Sequence, residues 1–311
     1  MPVPKDLEVC NVDRSNFELV AITCNSPIES IEDCEEPLTS IIHIVYDTIV
    51  FALVKWSIII SAAQVIFLGV LICVFGTVPV MNNPYWGPSV NVLIKYGAKD
   101  AELIMNNFEY WRLLSAIMLH AGVYHLLANI SLQILISGYL EQTWGVIIFF
   151  GIYFTTGLVG YLCSCCFLYD SVSVGSSGSI MGLLASWLLD IVFSLQRLRA
   201  ERNLRAGIIN SQIIMLCSIT TAILLTLASS WNSGVDWASH AGGCLYGALW
   251  ACALFTDRPS TFKGNSDDII SNNLNSRMQC IRWTIKALSI SLLFIIPSAL
   301  GTYMICHAQV T

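Results

Sequence analysis

The chain has 311 residues, of which 55% are hydrophobic and only 12% charged, with a formal net charge of −6 and a mean hydropathy of +0.68. Soluble domains carry about 25% charged residues, so this composition excludes an ordinary cytosolic enzyme, a disordered regulator and a nucleic-acid binder, which would present a basic face. The class that remains is an integral membrane protein. Of twelve cysteines, Cys73, Cys163, Cys165, Cys166, Cys217, Cys244, Cys252 and Cys306 lie in apolar runs, which indicates neither a zinc site nor a secreted disulfide framework.

In chain order, Met1–Thr48 is an acidic tail with sparse hydrophobics, read as poorly ordered, and it lacks the basic-then-apolar pattern of a cleavable leader. A bilayer core needs about 20 apolar residues per helix, and seven runs meet that need. The first is Trp56–Val78, free of charge. A connection of more than thirty residues follows, Pro79–Arg112. Its Pro84, Tyr85, Trp86 and Trp111, with a helical stretch near Asp100–Asn107, suit a segment half sunk in the membrane interface. The remaining runs are Leu113–Leu140, Trp144–Tyr169, Val174–Gln196, Ile208–Trp231, Trp237–Phe255 and Ala287–Cys306. A polar segment, Asp257–Arg282, precedes the last. With the N-terminus in the cytosol, twelve of the fifteen Lys and Arg residues fall on the cytosolic side. The positive-inside bias thus predicts N-terminus in and C-terminus out.

Polar residues inside spans are functional candidates because burying them is costly. His125 and Asn129 are four apart on the second run and share a helix face; His120 lies further outward. Gly175-Ser176-Ser177-Gly178 opens the fourth run, and Gly178 with Gly182 also forms a small-xxx-small packing pair. His240 opens the sixth run, with Gly243 and Gly247 as a second such pair. The bland readings are helix-to-helix hydrogen bonding for the histidines and close packing for the glycines. Under the derived topology, however, Ser177 and His240 lie at similar depth on helices running the same way. A serine needs an adjacent base to act as a nucleophile, and histidine is the usual one. His125 and Asn129 would then be donors to an oxyanion.

These residues carry a resemblance. Trp111-Arg112, His120-x4-His125-x3-Asn129, a Glu-x-x-Trp-Gly-like step at Glu141–Gly145, Gly175-x-Ser177-Gly178-x3-Gly182 and His240-x-Gly242-Gly243-x3-Gly247 together resemble the rhomboid family of intramembrane serine proteases. The resemblance implies an all-α polytopic bundle with a six-helix core over 49–257, including the long loop 79–112. It also implies a cytosolic linker at 258–283 and an added seventh helix with a short outer tail at 284–311, the six-plus-one layout of secretory-pathway members. It implies a Ser177–His240 dyad, and an oxyanion hole of His125, Asn129 and the Ser177 amide. His120, Gly175, Gly178, Met181 and Gly243 would support them. Met181 stands where the family often stacks an aromatic ring on the histidine, and a thioether can pack similarly. Asp236 reads as a helix cap or loop acid, and Asp190 lies about 20 Å from Ser177 along the helix by its 1.5 Å rise per residue.

The function so implied is cleavage of single-pass transmembrane proteins near the outer membrane face, by a protein of the secretory pathway or plasma membrane. Its partners would be those substrates and the lipid bilayer, without nucleic acid, metal or other cofactor; the sequence sets no oligomeric state. An inactive relative that binds membrane clients is the competing reading. A seven-span receptor or transporter is another, and it would leave Ser177 and His240 uncoupled.

Overall fold

Apolar runs that must satisfy their own backbone groups fold as helices. The computed structural model describes residues 55–200, 206–232, 235–256 and 276–308. Among these, an isolated bridge between Lys99 and Ser173 is the one non-helical ladder contact. The helices are α1 (Trp56–Phe75), α2 (Val90–Lys95), α3 (Ala101–Asn106), α4 (Arg112–Met118), α5 (Val123–Trp144), α6 (Val146–Phe167), α7 (Ser177–Ala200), α8 (Ala206–Asn232), α9 (Trp237–Phe255) and α10 (Ser276–Ala308). The protein is therefore an all-α polytopic bundle. Among the described residues, six helices (α1, α5, α6, α7, α8 and α10) are long and apolar enough to cross a membrane.

The expected sixth span, α9, is helical but only 19 residues long, and its glycines, Ser239 and His240 dilute its apolar character. It occupies the middle of the bundle, packing chiefly on α7 and α6 and also meeting α10 and α8. A helix so enclosed needs small residues more than greasy ones. The two glycine pairs expected to permit close packing face each other: a Cβ on Gly243 would overlap the Gly178 carbonyl, and one on Gly247 the Gly182 carbonyl. Backbone lies directly on backbone along this seam.

Two expected boundaries change. The run Leu113–Leu140 is not one span: it breaks between Met118 and Val123, separating α4 from α5. The break is made by the first loop, where Asn83 Nδ2 donates to the Ala121 carbonyl (2.8 Å) and the Val123 and Tyr124 amides donate to the Trp86 and Tyr85 carbonyls (3.1 and 3.2 Å). The last helix starts at Ser276, eleven residues before the apolar run at Ala287. It contains Pro297, which has no N–H to give the Leu293 carbonyl. The Tyr246 hydroxyl of α9 donates to that carbonyl instead, at 2.6 Å.

The first loop is built as expected around an α-helix near Asp100–Asn107, whose N-cap Asp100 accepts from the Leu103 amide (3.1 Å). Arg112, 4% exposed, pins the loop inward. Its guanidinium donates to the Ala98 carbonyl (3.2 Å), to the Ile94 carbonyl and to Glu109 (2.7 Å). At the opposite end of the bundle, Glu141 of α5 accepts from the Trp56 and Ser57 amides (3.1 and 3.3 Å), capping α1 from another helix. Trp144 donates to Asp190 of α7 (2.9 Å), which accounts for that buried acid without a part in chemistry. The tail at 1–48 and most of the linker at 258–283 lie outside the described residues.

Candidate active site

The segment that delivers Ser177 is held on three sides. Gly175 has φ of +110°, a conformation that side chains rarely adopt. Its amide donates to the Ala116 carbonyl (2.9 Å) and its carbonyl accepts from the Tyr161 hydroxyl (2.6 Å). Upstream, the Lys99 and Ser173 backbones exchange hydrogen bonds of 2.9 and 3.1 Å. The fully buried Lys99 ammonium donates to the Leu168 and Ser171 carbonyls (2.7 and 2.8 Å). Burial pushes the Lys99 pKa below the usual lysine value, a cost that these carbonyl acceptors offset. Ser177 is then the first residue of α7, where amide hydrogens are unpaired and the helix dipole is positive.

His240 arrives from α9, whose N-cap Asp236 accepts from the Ser239 amide at 2.9 Å. Of the two readings the sequence left for Asp236, helix cap or loop acid, the structure shows the cap. His240 is 3% exposed. Its Nε2 lies 2.8 Å from Ser177 Oγ and its Nδ1 lies 2.9 Å from Ser230 Oγ of α8. The Ser230 hydroxyl in turn reaches the Thr226 carbonyl one turn back.

On α5, the His125 ring lies against Gly175, where a Cβ would sit 2.7 Å from Cε1 and 3.2 Å from Nε2. Its Nδ1 accepts, at 3.4 Å, from the Ala121 amide, which leaves the ring proton on Nε2. Tyr85 from the first loop and His120 flank the ring, each 5.4 Å away between centroids. Asn129 follows one turn later and gives one amide hydrogen to the His125 carbonyl (2.9 Å); its second is free for another acceptor. Met181 is buried one turn beyond Ser177 in the main hydrophobic cluster.

The structure therefore brings Ser177, His240, Gly175 and His125 together, with Asn129 beside them, Gly178 and Gly243 in the seam behind and His120 one ring away. Three contributors escape a reading of the sequence. Lys99 counts there only as a loop charge; its place beside Pro84, Trp86 and Trp111 in an amphipathic loop hinted at partial burial. Tyr161 is one aromatic among many in an apolar run. Ser230 follows another serine at the end of a span, and nothing in its spacing marks it.

The fold and this arrangement define a polytopic helical membrane protein with a serine and a histidine paired at the starts of two adjoining helices. Residues 107–257 match the Rhomboid domain. The chain is 35% identical over 173 residues to RHOMBOID-like protein 6, mitochondrial, of Arabidopsis thaliana, covering 56% of this chain and 53% of that one. It is 28% identical over 199 residues to Rhomboid-like protease 1 of Toxoplasma gondii, covering 63% and 62%. It is also 29% identical over 162 residues to Inactive RHOMBOID-like protein 8 of Arabidopsis thaliana, covering 52% and 43%. Over residues 107–257 the chain is similar to the rhomboid family. The matches span about half the length of the plant relatives.

Proposed function

We propose that this protein is an intramembrane serine endopeptidase that cleaves single-pass transmembrane proteins near the outer membrane face. The observation that carries this reading is the 2.8 Å separation of Ser177 Oγ and His240 Nε2, within the reach a nucleophile and its base require. His240 Nε2 takes the Ser177 hydroxyl proton as Oγ adds to the scissile carbonyl, then gives it to the leaving amine. Water, deprotonated by the same nitrogen, releases the acyl group and restores Ser177. The oxyanion forms between the Ser177 amide, the protonated Nε2 of His125 and the Asn129 amide. These donors sit on the starts of α5 and α7, which Gly175 and the first loop hold together.

Part of a helical substrate must open before a peptide bond can be attacked, because its backbone groups are already paired. Small, helix-weakening residues near the outer face are the expected substrate signature. The layout is six helices plus one, with the N-terminus cytosolic.

The test is reconstitution of the purified protein with model transmembrane substrates. Ser177→Ala and His240→Ala should each lower turnover to about 10⁻⁴ of wild type or less, and the double variant should be no worse, because such residues act as a unit. A fluorophosphonate should label Ser177. Robust cleavage by Ser177→Ala, or labelling at another serine, overturns the assignment. A wild-type protein that binds such substrates without cutting them would instead be a non-cleaving member of the family.

A further inference from the structure

Every polar contact of the Ser177–His240 pair is accounted for by the reading above except one, the hydroxyl against the far side of the imidazole. Ser230 is 2% exposed and lies 2.9 Å from His240 Nδ1. The directions of the protons are settled by the partners. The Ser230 hydroxyl reaches the Thr226 carbonyl, which can only accept, so its hydrogen points there. The Ser230 oxygen then offers a lone pair to Nδ1, and Nδ1 must carry the ring proton. Nε2 is left unprotonated, facing the Ser177 hydroxyl at 2.8 Å. Three hydrogen bonds thus run in one direction, from Ser177 through His240 and Ser230 to a backbone carbonyl.

We propose that Ser230 is a positioning residue that holds His240 in the Nδ1-protonated tautomer and steadies the imidazolium formed during turnover. This rests on the dyad reading and extends it. The place is that of the acidic third member in serine hydrolases, filled here by a neutral hydroxyl whose dipole is oriented by Thr226. Neither acid near the dyad in sequence takes it: Asp236 caps its own helix through Oδ1, Asp190 is bonded to Trp144, and Nδ1 is met by Ser230. A hydroxyl also suits the surroundings, since a second charge at this depth would itself need a partner. The contact comes from α8, a helix far less buried in the bundle than α7.

The test uses the full-length protein with a transmembrane substrate and ¹⁵N-histidine labelling. Ser230→Ala should lower kcat about 10- to 100-fold, as expected for one lost buried hydrogen bond to a charged group, with KM little changed. Ser230→Thr, which keeps the hydroxyl, should recover most of that loss. The His240 signal, assigned by its absence in His240→Gln, should report a protonated Nδ1 in wild type and a mixture of tautomers in Ser230→Ala. Should Ser230→Ala fail to fold, Ser230→Cys, a weak acceptor of similar size, takes its place. A wild-type kcat in Ser230→Ala, no rescue by Thr, or an unchanged tautomer overturns the proposal while leaving the protease reading intact. A wild-type protein that fails to cleave but shows the tautomer change upholds Ser230 as the partner of His240 and removes the protease reading alone.

Discussion

At the scale of single residues, Asn129 separates chemistry from architecture. Its amide gives one hydrogen to the His125 carbonyl, and the proposed mechanism assigns the second to the oxyanion. Removing one preorganised donor costs about 10²–10³ in rate while leaving the nucleophile in place. Asn129→Ala should therefore slow turnover by that amount, with fluorophosphonate labelling of Ser177 slowed but retained. If Asn129 served only to tie helix turns together, the variant would melt earlier with turnover per folded molecule unchanged. Ser177, His240, His125 and Asn129 were all legible as candidates in the sequence: each is a polar residue where apolar ones belong, His125 and Asn129 lie one helical turn apart, and Ser177 and His240 each open an apolar run next to a small-xxx-small pair. Ser230, Tyr161 and Lys99 were not. Their partners are carbonyls or rings brought near by folding, and a serine bonded to its own helix leaves no periodic trace.

At the scale of helices, the apolar runs located the elements and tertiary contacts decided where they end. Leu113–Leu140 reads as one span because nothing in it is charged. Its interruption comes from loop carbonyls at Tyr85 and Trp86 capturing the amides that open α5. The start of α10 was hidden for the opposite reason, since its first turns are polar yet helical. The Tyr246–Leu293 contact gives this level its own test. Tyr246→Phe should leave the Leu293 carbonyl unpaired inside the bundle and lower stability by about 1–3 kcal/mol, read as a drop in Tm. Pro297→Ala restores the N–H that would reach Leu293, so Tyr246→Phe should cost much less in that background. Equal losses in both backgrounds would show that the hydroxyl is not standing in for the missing amide.

At the scale of the whole molecule, the helix ends sort into two opposite faces. Glu141 caps α1 at one face, and the first loop, Gly175 and Asp236 gather at the other. In the proposed topology, which follows the distribution of Lys and Arg, the second face lies outward. An impermeant thiol reagent added outside sealed cells should modify Met81→Cys, a position 94% exposed in the first loop. It should spare Gln142→Cys, exposed beside Glu141, until the membrane is opened. Peptide mapping distinguishes these sites from the native cysteines. Reversed accessibility would turn the Ser177 face toward the cytosol and would require substrates cut on that side.

The glycine seam between α7 and α9 bears on how this protein can vary. Where side chains separate two helices, the spacing drifts with each replacement and with each rotamer the packing permits. Between Gly178 and Gly243 no side chain intervenes, so the gap from Ser177 to His240 is fixed by the thickness of the main chain itself. Substitutions elsewhere in the bundle can accumulate without retuning that gap. The same arrangement leaves no gradual path at the seam, because the smallest possible addition, one methyl group, collides with a carbonyl at Gly243 or Gly247 and with the Ser239 or Thr156 side chain at Gly178 or Gly182. Tolerance in the surrounding core and intolerance along one line of four glycines are two sides of the same geometry.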